Sequence, residues 1–256
     1  MTLRRELRRG TRVAAFAAAT SAMLPAFALR QRLADRHDRA GVRERWVAAW
    51  CSLLLGVFGV RLLARRLRPL GRDRGHLVVA NHRSTADILV LLRSFGGHMV
   101  SRADLARWPL VGVAARSVGT VFVDRADAVS GANAVRTIRA LLSGGETVIV
   151  FPEGTTFPDD AVRPFLAGSF VAALRSGADI VPVGLAYQTG SGAAFVDESF
   201  GAHLSRMAAA EPSRVAMCVG EPIAVGHGAR AAELRAHAHA DVQSLVHEAR
   251  RVVDAR

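Results

Sequence analysis

From residue 76 onward, short β-branched runs alternate with longer stretches of helical periodicity, and that alternation restricts the fold more than any other feature. Strands are predicted at 76–80, 98–101, 120–123, 147–151, 180–186 and 214–219. Helices are predicted at 85–95, 109–116, 128–142, 164–176 and 229–255. Strand and helix in turn at this spacing give an α/β layered domain with a mixed, largely parallel sheet flanked by helices. Gly144-Gly145 stops the third helix as a C-terminal glycine should. Pro182, inside the run at 180–186, predicts an edge or a bulge there. Residues 190–214 read as a long loop carrying a short helix.

The first 75 residues differ in kind. They hold 17 arginines against five acids, whereas residues 76–256 hold 17 of each, so the whole formal charge of +12 belongs to the front. A basic block joined to a neutral body calls for an anionic partner, either nucleic acid or a lipid surface. Two uncharged apolar runs, 13–29 and 46–60, favour lipid, because nucleic-acid binding gives no reason for them. As helices they reach roughly 25 Å and 22 Å, against about 30 Å of bilayer hydrocarbon. Arginines bracket both runs, and Trp46 and Trp50 stand where an interfacial aromatic belongs. Residues 1–75 are therefore expected to be a basic membrane-anchoring pair of helices, and residues 76–256 the α/β domain. Two other readings stay open: a signal peptide ending at Ala26-Phe27-Ala28, and soluble core helices. Pro25 predicts a kink or an end to the first helix under each. Cys51 and Cys218 are too few for a disulfide framework or a metal knuckle.

Chemistry concentrates at Asn81-His82-Arg83-Ser84-Thr85-Ala86-Asp87, after a predicted strand and before a predicted helix. Histidine accepts a proton near neutral pH, and a carboxylate on its other ring nitrogen fixes the tautomer. Five residues separate His82 from Asp87, which suits a turn followed by the first turn of a helix. The same Ser84-x-x-Asp87 spacing also suits a helix capping box. Asp124-Arg125 ends a second strand, where an arginine can hold a phosphate or carboxylate by two parallel bonds. Phe151-Pro152-Glu153-Gly154-Thr155-Thr156 follows a third, with a glycine that lets backbone N–H groups approach an anion. His237, His239 and His247 read as solvated positions on the last helix, and His203 has no assignable role.

Four blocks in this order, NHxxxxD, GxxFxDR, FPEGT and a VPV-type strand, resemble the glycerolipid acyltransferase family, whose best-known members acylate 1-acylglycerol 3-phosphate. The resemblance covers residues 76–223. It implies transfer of a fatty acyl group from acyl-CoA or acyl carrier protein to a lysolipid hydroxyl, without cofactor or metal. It further implies His82 as general base, Asp87 as its orienting group, and Arg125, Glu153, Gly154 and Thr155 at the acceptor head group. The partners implied are the bilayer, a lysolipid and a thioester donor, on the cytoplasmic side of the inner membrane. Two departures stand out. Thr156 occupies a position often basic in the family, and Arg102 replaces a common lysine. Both leave a lyso-ornithine lipid open as the acceptor.

Overall fold

The structure, a computed structural model, describes residues 2–71, 73–195 and 198–255. Seven strands form one sheet: β1 (Val60–Arg65), β2 (His76–Ala80), β3 (His98–Arg102), β4 (Val121–Val123), β5 (Thr147–Val150), β6 (Asp179–Tyr187) and β7 (Ser213–Val219). Their order is β1-β7-β6-β2-β5-β3-β4, and every neighbouring pair is parallel except β6 with β7. The six predicted strands are all present. The seventh, β1, begins where the second apolar run ends, and its two arginines hide it from a reading by apolar runs. It lies on the edge, paired in parallel with β7.

The helices are α1 (Thr2–Leu33), α2 (Arg39–Phe58), α3 (Ala86–Phe95), α4 (Val111–Ser117), α5 (Ala128–Ser143), α6 (Gly168–Ser176), α7 (Phe200–Ala209) and α8 (Ala231–Asp254). The two-residue period of β2 sorts the core. Val78 and Ala80 pack toward Cys51, Leu54 and Leu55 of α2 and Val90 of α3. Leu77 and Val79 pack on the opposite face, toward Ile138 of α5, Phe170 of α6 and Val242 of α8. Helix α8 crosses β6 so closely that a Cβ on Gly184 would lie 2.2 Å from the carbonyl carbon of Leu245. Only glycine admits that approach.

Three expectations need correction. Pro182 is not on an edge, since β6 runs between β7 and β2. The β6–β7 ladder stops at Val183 opposite Val219, and beyond it lie an isolated bridge from Ile180 to Ile223 and one bond from Gly220 N–H to the Pro182 carbonyl. The N–H that proline lacks falls in that interruption.

Pro25 does not end the first helix, which is continuous to Leu33. Helices α1 and α2 form an antiparallel hairpin, with Phe16 against Phe58 and Phe27 against Trp46. The Trp50 indole N–H donates to the buried Thr20 hydroxyl at 3.1 Å. Both tryptophans therefore lie, partly buried, in the seam between the helices. Helix α2 buries Val47, Cys51, Leu54, Leu55 and Phe58 and is a core helix. Among the described residues only α1 is long and apolar enough to cross a membrane, and most of it is exposed. The exposed apolar side chains Leu3, Leu7, Val13, Leu29 and Leu33 run along its length.

Candidate active site

The C-terminal ends of β2, β3, β4, β5 and β6 share one edge of the sheet, where open α/β folds gather their ligands. Asn81 pins the loop after β2 there. Its side-chain amide donates to the Leu185 carbonyl at 3.0 Å and accepts from the Leu185 N–H at 2.8 Å. His82 follows, with its Nδ1 2.9 Å from Asp87 Oδ2. Nδ1–H donates to that carboxylate, so the neutral ring keeps its lone pair on Nε2. The His82 side chain is 17% exposed and Asp87 is fully buried. Oδ2 of Asp87 also accepts from the N–H groups of Arg83 at 2.7 Å and Ser84 at 2.8 Å. One carboxylate thus reaches back over the start of α3 as a capping residue and orients the imidazole as well.

The rest of the His82 environment comes from the loop after β5. Phe151 lies parallel to the imidazole, ring centres 3.8 Å apart and planes 9° from each other. Glu153 accepts from the His82 N–H at 2.9 Å and from the Arg163 N–H at 2.8 Å. Burial holds its pKa above the ordinary carboxylate value, against the pull of those two N–H groups. Both oxygens of Glu153 are thus engaged by the main chain, and the residue does not line the cleft beside His82.

That cleft, of about 430 Å³, is lined by His82, Arg102, Arg125, Gly154, Thr155 and Thr156 among others. Gly154 has a φ of +85°, which favours glycine, and a Cβ there would meet Leu166 at 3.1 Å. Arg125 is exposed along the cleft, and its pKa is lowered by partial desolvation there and by neighbouring Arg102. Behind the cleft lies an apolar chamber of about 110 Å³ walled by Phe16, Trp50, Phe58, Leu92, Ala114 and Met207. Cleft and chamber share Thr85, Ile88, Ser101, Leu105 and Phe200. A polar site and an apolar recess therefore meet beside one imidazole.

A family model described as Acyltransferase matches residues 62–186. The lyso-ornithine lipid O-acyltransferase of Pseudomonas aeruginosa is 32% identical over 209 residues, 76% of each chain. The chain belongs to the acyltransferase family. This acyltransferase is also 30% identical over 150 residues to the 1-acyl-sn-glycerol-3-phosphate acyltransferase of Neisseria gonorrhoeae, covering 59% of this chain and 58% of that one. The crystal structure of the Thermotoga maritima 1-acyl-sn-glycerophosphate acyltransferase PlsC shares the fold, with a TM-score of 0.75 over 95% of this chain and 97% of that one at 23% identity.

Several residues of the acyltransferase site escaped the sequence. Tyr187, at the end of β6, donates its hydroxyl to Asp87 Oδ1 at 2.6 Å. Arg83 pairs with Asp160, which Arg250 of α8 also binds at 2.8 Å, tying the loop after β5 to α8. His203, fully buried, faces Glu198 through Nδ1 at 3.0 Å and accepts from the Thr85 N–H at 3.3 Å. It supports the turn that carries His82. His239 is half-buried, its Nε2 3.0 Å from the Val162 carbonyl and its ring edge-on to Phe165, so it is not solvated. Its register on an amphipathic helix was the available signal. The others are brought in by tertiary contact between segments some 75 to 120 residues apart.

Proposed function

We propose that this acyltransferase moves a fatty acyl group from a thioester, acyl-CoA or acyl carrier protein, onto the hydroxyl of a lysolipid. The observation that carries the reading is the buried Asp87 holding Nδ1 of an imidazole whose other nitrogen is left for the cleft. Nε2 of His82 takes the hydroxyl proton as the oxygen attacks the thioester carbonyl. The C–O bond forms, the C–S bond breaks, and the departing thiolate recovers the proton from His82. Asp87 stabilises the imidazolium in between. The first methylenes of the acyl chain enter the apolar chamber behind Ile88 and Leu105, whose volume of about 110 Å³ takes only part of a fatty chain, while the carbonyl lies beside His82. Arg125, over Gly154 and Thr155, holds the acceptor's anionic group. Glu153 acts on the acceptor through the His82 main chain.

Two acceptors fit: 1-acylglycerol 3-phosphate and lyso-ornithine lipid. The second is favoured by the relative that covers 76% of the chain, a lyso-ornithine lipid acyltransferase, and by Thr156 where a cation would serve a phosphate. The exposed apolar face of α1, with its arginines, docks the enzyme on the cytoplasmic side of the inner membrane, where its lipid acceptor lies. Purified protein is offered both lysolipids with labelled acyl-CoA or acylated carrier protein, and the product mass is read. A labelled diacyl product that disappears with His82→Ala, in a variant that stays folded and vesicle-bound, is the expected result. Undiminished acylation by that variant rejects the mechanism.

A further inference from the structure

The reaction set out above makes no use of the Tyr187 hydroxyl. Tyr187 is buried at the end of β6 and is the only tyrosine in the chain. Phenylalanine would fill nearly the same volume, so packing does not ask for an oxygen there. Asp87 does. Its Oδ2 serves His82 and two main-chain N–H groups, while its Oδ1 receives the phenol at 2.6 Å. A carboxylate oxygen in a dry site is costly without a donor, and a short bond to a charged acceptor is among the stronger ones available. Burial and the neighbouring Asp87 both raise the phenol's pKa, so it remains a donor across the working pH range.

We propose that Tyr187 is a positioning residue for acyl transfer: its phenol fixes the plane of the Asp87 carboxylate that orients His82, and so tunes the acidic midpoint of the rate profile. This rests on His82 being the general base. A donor on Oδ1 draws charge from the carboxylate and lowers the affinity of the Asp87–His82 pair for a proton. Removing it lets the pair hold its proton more tightly, and the acidic limb of the rate profile moves to higher pH. A stronger donor moves it to lower pH.

Other charged groups surround the pair from every side. Arg83 approaches with Asp160 and with Arg250 of α8, whose guanidinium donates to the Tyr187 carbonyl at 2.5 Å. His203 of α7 stands with Glu198 and Arg206, and Glu153 reaches in from the loop after β5 beside Arg163. All of them stay in place when only the phenol is altered.

A single tyrosine makes the test clean, because biosynthetic replacement by fluorotyrosine, a more acidic phenol of almost the same size, alters this position alone. The full-length enzyme, Tyr187→Phe and the fluorotyrosine enzyme are assayed for kcat and acceptor KM between about pH 5 and 9. Tyr187→Phe is expected to lose about tenfold in kcat at unchanged KM, since a misaligned base costs rate and not binding. Its acidic midpoint rises. The fluorotyrosine enzyme keeps a near wild-type rate with a lowered midpoint, and it answers alone if the phenylalanine variant does not fold. Equal midpoints in all the folded enzymes overturn the proposal, whatever their kcat. His82→Ala is run beside them: if it is active, the base assignment itself fails, and if it is dead while the midpoints are equal, only the role of Tyr187 fails.

Discussion

The main-chain N–H of His82 donates to Glu153 Oε1 at 2.9 Å, so the carboxylate of the third sequence motif holds the backbone of the first. Its other oxygen holds Arg163 across the same loop. Glu153→Ala leaves both N–H groups without that acceptor, at a cost of about 1–3 kcal/mol for each that stays dry. We expect a lower thermal midpoint and a fall in kcat on the order of a hundredfold, because the imidazole drifts from its aligned position. Glu153→Gln keeps one carbonyl acceptor but turns an amide N–H toward the second donor, and is expected to fall between the two. A wild-type kcat in Glu153→Ala would show that the tether is idle.

Acid unfolding separates two other effects. Glu198 is held at a pKa of about 2, first by its hydrogen bond to Arg206 and then by His203. A carboxylate lowered in the folded state adds stability that is present above its ordinary value near 4.5 and is lost as the pH falls toward 2. Glu153, raised by burial, has the opposite sign: its contribution is full below the ordinary value and is lost as the pH rises through the folded one. Glu198→Gln should therefore flatten the decline in denaturant midpoint between pH 4.5 and 2. An unchanged slope would mean that the Arg206 pair is open in solution.

The alternating strand and helix pattern was legible from residue 76 because β2, β5, β6 and β7 are buried along nearly their whole length and read as unbroken apolar stretches. The His82–Asp87 pair was legible only through the resemblance of four motifs taken together, since its own spacing suits a helix capping box equally well. The amino-terminal third was read less well. A core helix and a membrane helix share composition, and only packing shows that α2 buries Leu54 and Phe58 while α1 keeps Leu7 and Leu29 exposed. Tyr187 was invisible because nothing local marks the final residue of a buried strand as lying against a carboxylate 100 positions earlier.

Gly184 sets the contact between β6 and α8. A methyl there would meet the Leu245 carbonyl carbon at 2.2 Å, with backbone on both sides and no side chain able to yield. Gly184→Ala should cost several kcal/mol, beyond the usual 1–3 for an overpacked core, because a helix axis has to move. Since β6 also ends in Tyr187, activity should fall with stability. A variant that unfolds at the wild-type denaturant concentration would refute this packing.

Arg125 is predicted to act on stability and activity with opposite signs. Its side chain lines the cleft beside a second arginine and is exposed overall, and its pKa is lowered first by partial desolvation and then by Arg102. Two like charges brought to one cleft repel each other, so their placement serves an anionic ligand and not the fold. Arg125→Met keeps the stem and removes the charge. It should unfold at a higher temperature than the wild type while acceptor KM rises about tenfold or more, the scale of one charge-assisted hydrogen bond. With the acyl chain placed as proposed, toward the chamber and away from the head-group side, the donor KM should move less than the acceptor KM. Arg125→Lys should recover only part of the loss, because an ammonium cannot grip a phosphate or carboxylate by two parallel bonds. A drop in melting temperature with an unchanged acceptor KM would make Arg125 a structural cation and move the head-group site elsewhere in the cleft.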